Sequence, residues 1–300
     1  MKLILVILLG LSSLTFAKEV TVSILPQKYF IEKIAKDKID VNVMVKPGAS
    51  PATYEPKTSQ MKALSNSLAY FSIGVPFENV WLEKFKNANK KMLIVDTSMG
   101  IKKLPMEAHS HEEHEEHADH DEDTHHEEHD EHEHHHEHGA LDPHIWLSPI
   151  LVKIQARNIY SGLVKIDPEN KEFYKSNLNK FLLEIDALDK EIESILENYK
   201  NKAFMVFHPS WGYFALRYKL EQIAIEIQGK EPKPSQLVEL VKEAKKHNIK
   251  IVFVAPQFSQ KGAKTISKSI KGNVLAMDPV AYNWDENLIK VAKEIANSYK

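Results

Sequence analysis

The 300-residue chain contains no cysteine, which removes disulfides, thiolate zinc fingers, iron–sulfur clusters and the acylated cysteine of a bacterial lipoprotein. Long apolar runs are equally scarce. Beyond the first residues, no stretch approaches the roughly 18 residues a membrane span requires. Outside the His-rich residues 107–138 the HExxH signature of zinc proteases does not occur, and no basic-aromatic patch or reading motif points to nucleic acid. Histidine is thin over most of the chain as well: outside one segment only His144, His208 and His247 occur.

What is present begins with Met1-Lys2, an apolar run from Leu3 to Leu11, and then Ser12-Ser13-Leu14-Thr15-Phe16-Ala17. One lysine, a short apolar core and small residues at Thr15 and Ala17 have the form of a secretory signal peptide. Residues 1–17 are therefore expected to be removed after Ala17, leaving a soluble exported protein. An apolar content of 43% is ordinary for a globular chain and excludes wholesale disorder.

The net charge of −3 conceals a strong asymmetry. Residues 107–138 hold 13 histidines and 15 acidic side chains in 32 positions. Such a segment has nothing with which to build a core, and it reads as a solvated, mobile insertion. Outside it and the signal peptide, 38 basic and 27 acidic residues remain, a body of +11 with its histidines neutral. The histidines of the insertion are His109, His111, His114, His117, His120, His125, His126, His129, His132, His134, His135, His136 and His138. Clusters such as His134-His135-His136 chelate without a preorganised fold, and the interleaved carboxylates raise the local cation concentration. The segment reads as a metal-collecting arm of several weak sites, accessory to a tighter one elsewhere.

On either side of the insertion, short apolar runs alternate with amphipathic stretches. Strands are predicted near Val20–Leu25, Val41–Val45, Leu68–Ile73 and Met92–Val95, and again near Ala203–Phe207, Gln222–Ile227, Lys250–Val254 and Asn273–Ala276. The fold class is α/β, with two four-stranded, mostly parallel lobes over residues 18–167 and 201–300. Between them, residues 168–200 have no glycine and no proline after Pro168. Their apolar residues, Phe173, Leu178, Phe181, Leu182, Ile185, Leu188, Ile192, Ile195 and Leu196, follow helical spacing. About 30 such residues make a rigid rod of roughly 45 Å, with Asp167 as its N-cap and Pro168 in its first turn.

Two of the three remaining histidines occupy suggestive places. His144 lies just before a helix expected to be capped by Ser148, with Pro149 in its first turn. His208 follows the strand Ala203–Phe207 directly, and Asp278 similarly ends the strand Asn273–Ala276. Ligands of open α/β sheets bind beyond the carboxyl ends of the strands, which places His208 and Asp278 on one edge with His144 facing them across a cleft. Two imidazoles and a carboxylate suit a divalent transition metal, and without thiolates zinc leads. His247 ends a helix at the opposite edge, where it complements the helix dipole and stands outside the site.

The segments Tyr54-Glu55-Pro56, Asp142-Pro143-His144-Ile145-Trp146-Leu147-Ser148-Pro149, Phe207-His208-Pro209-Ser210-Trp211-Gly212-Tyr213-Phe214, Gly229-Lys230-Glu231-Pro232-Lys233-Pro234-Ser235 and Met277-Asp278-Pro279 resemble, in order, the zinc- and manganese-binding proteins of bacterial ABC uptake systems. The resemblance covers essentially the whole mature chain. Histidine at position 208 and the acidic His-rich insertion are similar to the zinc branch, the periplasmic zinc-binding proteins. It implies metal held between two lobes by His144, His208 and Asp278. It further implies high-affinity Zn2+ capture, delivery to an inner-membrane ABC permease, and a monomer, with a periplasmic zinc chaperone as a second partner. The family's first ligand is a histidine in a Gly-x-x-Pro-His-x-Tyr-Glu-Pro pattern, and here Ala52 stands in its place. Water, a histidine of the insertion or a reoriented Glu55 is left to fill the fourth position. Two other readings stand beside transport: a zinc buffer or chaperone that never meets a permease, and a zinc-dependent hydrolase with Glu55 as base.

Overall fold

The apolar runs of each half pair side by side as parallel strands, because every connection between them carries a helix across a sheet face. The structure is a computed structural model that describes residues 18–106, 141–227 and 229–300. The expected signal peptide and the 107–138 insertion lie outside the described residues.

In the first sheet, β1 (Lys18–Val22), β2 (Ile39–Val43), β3 (Ala69–Ser72) and β4 (Leu93–Asp96) run in the order β2-β1-β3-β4, all parallel. The helices α1 (Leu25–Ala35), α2 (Thr58–Leu64) and α3 (Pro76–Ala88) connect them. The second sheet repeats the scheme with β5 (Ala203–Val206), β6 (Glu221–Ala224), β7 (Ile251–Val254) and β8 (Asn273–Ala276) in the order β6-β5-β7-β8, again parallel. Its helices are α6 (Gly212–Tyr218), α7 (Pro234–Lys246), α8 (Lys261–Ser269) and α9 (Trp284–Asn297). In each sheet the chain leaves the first strand to one side and later returns to the other. A crevice therefore opens at the carboxyl edge, between β1 and β3 and between β5 and β7.

Some boundaries differ from those the sequence predicts, each for a local reason. The first strand stops at Val22 rather than Leu25. Pro26 lacks an N–H, and the Gln27 side chain accepts the Ser23 and Ile24 N–H groups at 3.0 and 3.3 Å, which starts α1 instead. Ser148 does stand at the N-cap of α4 (Pro149–Ile166), but it makes no side-chain cap bond. The Asp167 side chain is not a cap either. Burial raises its carboxyl, but hydrogen bonds from Lys18, Tyr174 and Asn170 outweigh this and hold it below the usual carboxylate range.

The long helix of the sequence resolves into α5 (Lys171–Leu196), flanked by 3-10 turns at Pro168–Asn170 and Glu197–Tyr199. Its buried stripe of Tyr174, Leu178, Phe181, Ile185, Leu188, Ile192 and Leu196 packs against α1, α4 and α9. A single apolar core consequently runs from the first sheet through α4 and α5 to Phe204, Val206 and Trp284 of the second half. The other face of the second sheet has its own core, around Met205, Ile223, Leu240 and Ile266.

Gly162 of α4 packs closely against the first sheet. A Cβ there would meet Phe71 Cε1 at 2.7 Å and Val95 Cγ2 at 2.9 Å. Gly162→Val should destabilise the chain by roughly 2 kcal/mol through overpacking, seen as a lower urea midpoint with an unchanged m-value.

Candidate metal centre

Between the carboxyl edges of the two sheets lies a cavity of about 790 Å³. The first half contributes the loop Ser50-Pro51-Ala52-Thr53 with Val75 and Pro76. His144 and Trp146 come from the segment leading into α4. The second half supplies His208, Ser210, Glu226, Gln257 and Phe258, with Lys230 and Glu231 from the loop before α7. No helix of the described residues is long and apolar enough to cross a membrane.

His144 and His208 meet in this cavity, their ring centres 5.4 Å apart and nearly perpendicular. Two imidazoles bound to one tetrahedral ion at about 2.0–2.1 Å place their ring centres roughly 5 Å apart, so the pair already has the spacing of a shared ion. Each ring is also fixed through Nδ1. His144 Nδ1 lies 2.7 Å from Asp142 Oδ1, which accepts the His144 backbone N–H at 2.9 Å as well. His208 Nδ1 lies 3.1 Å from both Glu226 carboxylate oxygens. A carboxylate at Nδ1 favours the tautomer that keeps the proton there and leaves the Nε2 lone pair to a metal.

Packing holds the same orientation. Phe258 stacks on His208 with ring centres 4.6 Å apart, and Trp146 lies against His144 at 5.1 Å. Burial is the main reason the His144 imidazole titrates below its ordinary value of 6.5; the Asp142 carboxylate offsets part of that shift. At neutral pH His144 is thus the uncharged base that coordination requires.

Asp278 is placed differently. It ends β8 at the carboxyl edge, as the sequence predicts, but it does not line the cavity. Strand β7 separates β5 from β8 in the sheet, so the loop after β7 comes between. Gln257 of that loop donates through Nε2 to Asp278 Oδ1 at 2.9 Å, and the Val280 N–H reaches the same oxygen at 3.0 Å. Among the described residues, no group of three or more histidines and carboxylates is gathered to hold an ion. Glu55 is exposed and away from the cavity wall, whereas Ala52 lies on it. His247 bonds Glu243 at 2.8 Å just past α7, far in sequence and fold from the paired imidazoles.

Sequence reasoning missed Glu226 by reading it as part of a strand. The strand β6 ends at Ala224, and because β6 is the neighbour of β5, the carboxylate two residues on lands beside His208. The interruption of an apolar run, Ile225-Glu226-Ile227, was its only signal. Trp146 was likewise unread. Its indole donates to the Pro279 carbonyl at 2.6 Å, and the Trp284 indole donates to the Trp146 carbonyl at 2.7 Å. These two bonds tie the His144 turn to the Asp278-Pro279 turn.

Known proteins resemble this chain over most of its length. Residues 20–299 match the family described as zinc-uptake complex component A, periplasmic. The high-affinity zinc uptake system protein ZnuA of Bacillus subtilis is 32% identical over 252 residues, 82% of this chain and 73% of that protein. The zinc-binding protein AdcA of Streptococcus pyogenes is 30% identical over 266 residues, 87% of this chain, which spans 50% of that relative's length. Among solved structures, a crystal structure of ZnuA superimposes with a TM-score of 0.83 at 41% identity, covering 95% of this chain and 100% of that one. A zinc-bound ZnuA deletion mutant gives 0.82, also at 41% identity, over 94% and 98%.

The buried His144 makes a pH prediction with a definite sign. An unfolded imidazole takes up its proton near pH 6.5, and the buried one only at lower pH. Below that value the unfolded chain binds more protons, so stability falls with falling pH. Metal-free protein should therefore lose stability between pH 7.5 and 5 more steeply than His144→Gln, measured by urea midpoints across that range. Parallel profiles would contradict the burial argument.

Proposed function

This chain belongs to the family of zinc-uptake complex component A, and from that premise we propose that it captures Zn2+ in the periplasm and delivers it to an inner-membrane ABC permease. The observation that carries the reading is the His144–His208 pair at 5.4 Å, with each Nδ1 engaged by a carboxylate and each Nε2 left for the ion. Zinc accepts imidazole nitrogen and carboxylate oxygen in tetrahedral sites, and the two cavity imidazoles with Asp278 behind the wall make up that donor set. Asp278 is the third ligand in this account. One of its oxygens is engaged by Gln257 and Val280, and the other accepts no hydrogen bond among the described residues.

The family is one of transport components, not of enzymes. A hydrolase needs a base beside the open metal position, and Glu55, the one carboxylate considered for that role, is exposed outside the cavity wall. The His-rich residues 107–138 act in this account as a collecting arm that raises the local zinc concentration near the cleft. The +11 body attracts that acidic segment or a negatively charged permease face.

Zinc titration of residues 18–300 against a calibrated competing chelator tests the reading. One tight site is expected, together with several weak ones that vanish when 107–138 is deleted. His208→Ala should abolish the tight site, and Glu226→Gln should weaken it roughly 10- to 100-fold by releasing the His208 ring. A tight site that survives His208→Ala would overturn the assignment.

A further inference from the structure

The cavity is far larger than an ion needs, and its remaining polar groups are not metal donors of the usual kind. Ser210 lines the cavity and is 1% exposed, and its Oγ is buried with no hydrogen-bond partner among the described residues. Gln257 Oε1 is likewise buried without a partner among the described residues, although the Nε2 of the same amide is bound to Asp278. A hydroxyl and an amide oxygen left without partners at a cavity wall call for a polar guest, since burying them unpaired costs about 1–3 kcal/mol each. The mouth carries charge of both signs. Lys230 is the one lysine or arginine among the described lining residues, it is exposed, and its ammonium makes no ion pair among them. Glu231 beside it is exposed too, whereas the other lining carboxylate, Glu226, is engaged by His208. At the opposite wall Ala52 offers neither a donor atom nor the bulk of a ring.

We propose that the cavity takes zinc together with one small co-ligand, a free amino acid bearing an imidazole, whose ring nitrogen supplies the donor that Ala52 lacks. The proposal rests on the zinc-capture reading above. The co-ligand's carboxylate faces Lys230 and its ammonium faces Glu231, while Ser210 Oγ and Gln257 Oε1 hydrogen-bond its inner polar atoms. A volume of about 790 Å³ accommodates such a guest beside the ion, within the roughly 300–1,000 Å³ range of small-molecule sites. Zinc would then be loaded and released as a chelate, with the exchangeable ligand on the side where the loop of Ala52 closes the cavity.

Equilibrium dialysis of residues 18–300 with isotope-labelled L-histidine, with and without zinc, tests this. One L-histidine should be retained per chain only when zinc is present. Lys230→Ala should weaken that retention roughly tenfold. Ala52→His should abolish it by providing the missing donor from the chain, while zinc itself stays bound. Zinc held at a His208-dependent site with no L-histidine retained overturns the co-ligand and leaves zinc capture standing. Retention unchanged in both His208→Ala and Ala52→His places the amino acid on the His-rich segment and also overturns it. A tight zinc site indifferent to His208→Ala removes the capture reading and this inference together.

Discussion

Each cavity imidazole has a carboxylate against its Nδ1, and the rest of the site depends on that arrangement. An unrestrained histidine presents either nitrogen and rotates about two side-chain bonds, so two of them rarely converge on one point without support. Here Asp142 and Glu226 fix both rings, and Phe258 and Trp146 close off their faces. The two Nε2 lone pairs are directed in advance, and ordering them costs little when an ion arrives. The same burial that keeps His144 neutral would make an unpaired charge there expensive, which favours a divalent ion accompanied by the nearby carboxylates.

That arrangement needs two sheets held edge to edge, and the packing between the halves supplies this. The helix α5 lies against α1 and α4 of the first half and α9 of the second, so both halves share one core. Tyr29 donates to Asp285 and Tyr282 to Glu32, both at 2.5 Å, which joins α1 to the start of α9. The indoles of Trp146 and Trp284 add two buried bonds close to the cavity itself. A frame braced in this way restricts large hinge motion between the halves.

Much of the fold was legible because its signals are local. Apolar runs of four or five residues, helix-period stripes and prolines at helix starts mark all eight strands and the long helix to within a few positions. Boundaries slipped where a side chain substituted for the expected backbone or cap partner, as with Gln27 at the start of α1 and Asp167 before α5. At the site, His144 and His208 stood out by their positions beside prolines and at strand ends. Glu226 and Gln257 did not, because their proximity to the paired imidazoles depends on strand order. β6 lies beside β5, and β7 separates β5 from β8, and no single stretch of sequence carries that information. The distance of Asp278 from the cavity wall has the same origin.

The central claim is that one zinc ion joins the two imidazoles. Crystals of the zinc-loaded chain, measured above and below the zinc absorption edge, locate the ion without any assumption about its ligands. The account predicts one strong anomalous peak about 2.0–2.1 Å from Nε2 of both His144 and His208, with Asp142 and Glu226 still on the Nδ1 side. A fully loaded protein with no peak between these two rings would contradict it.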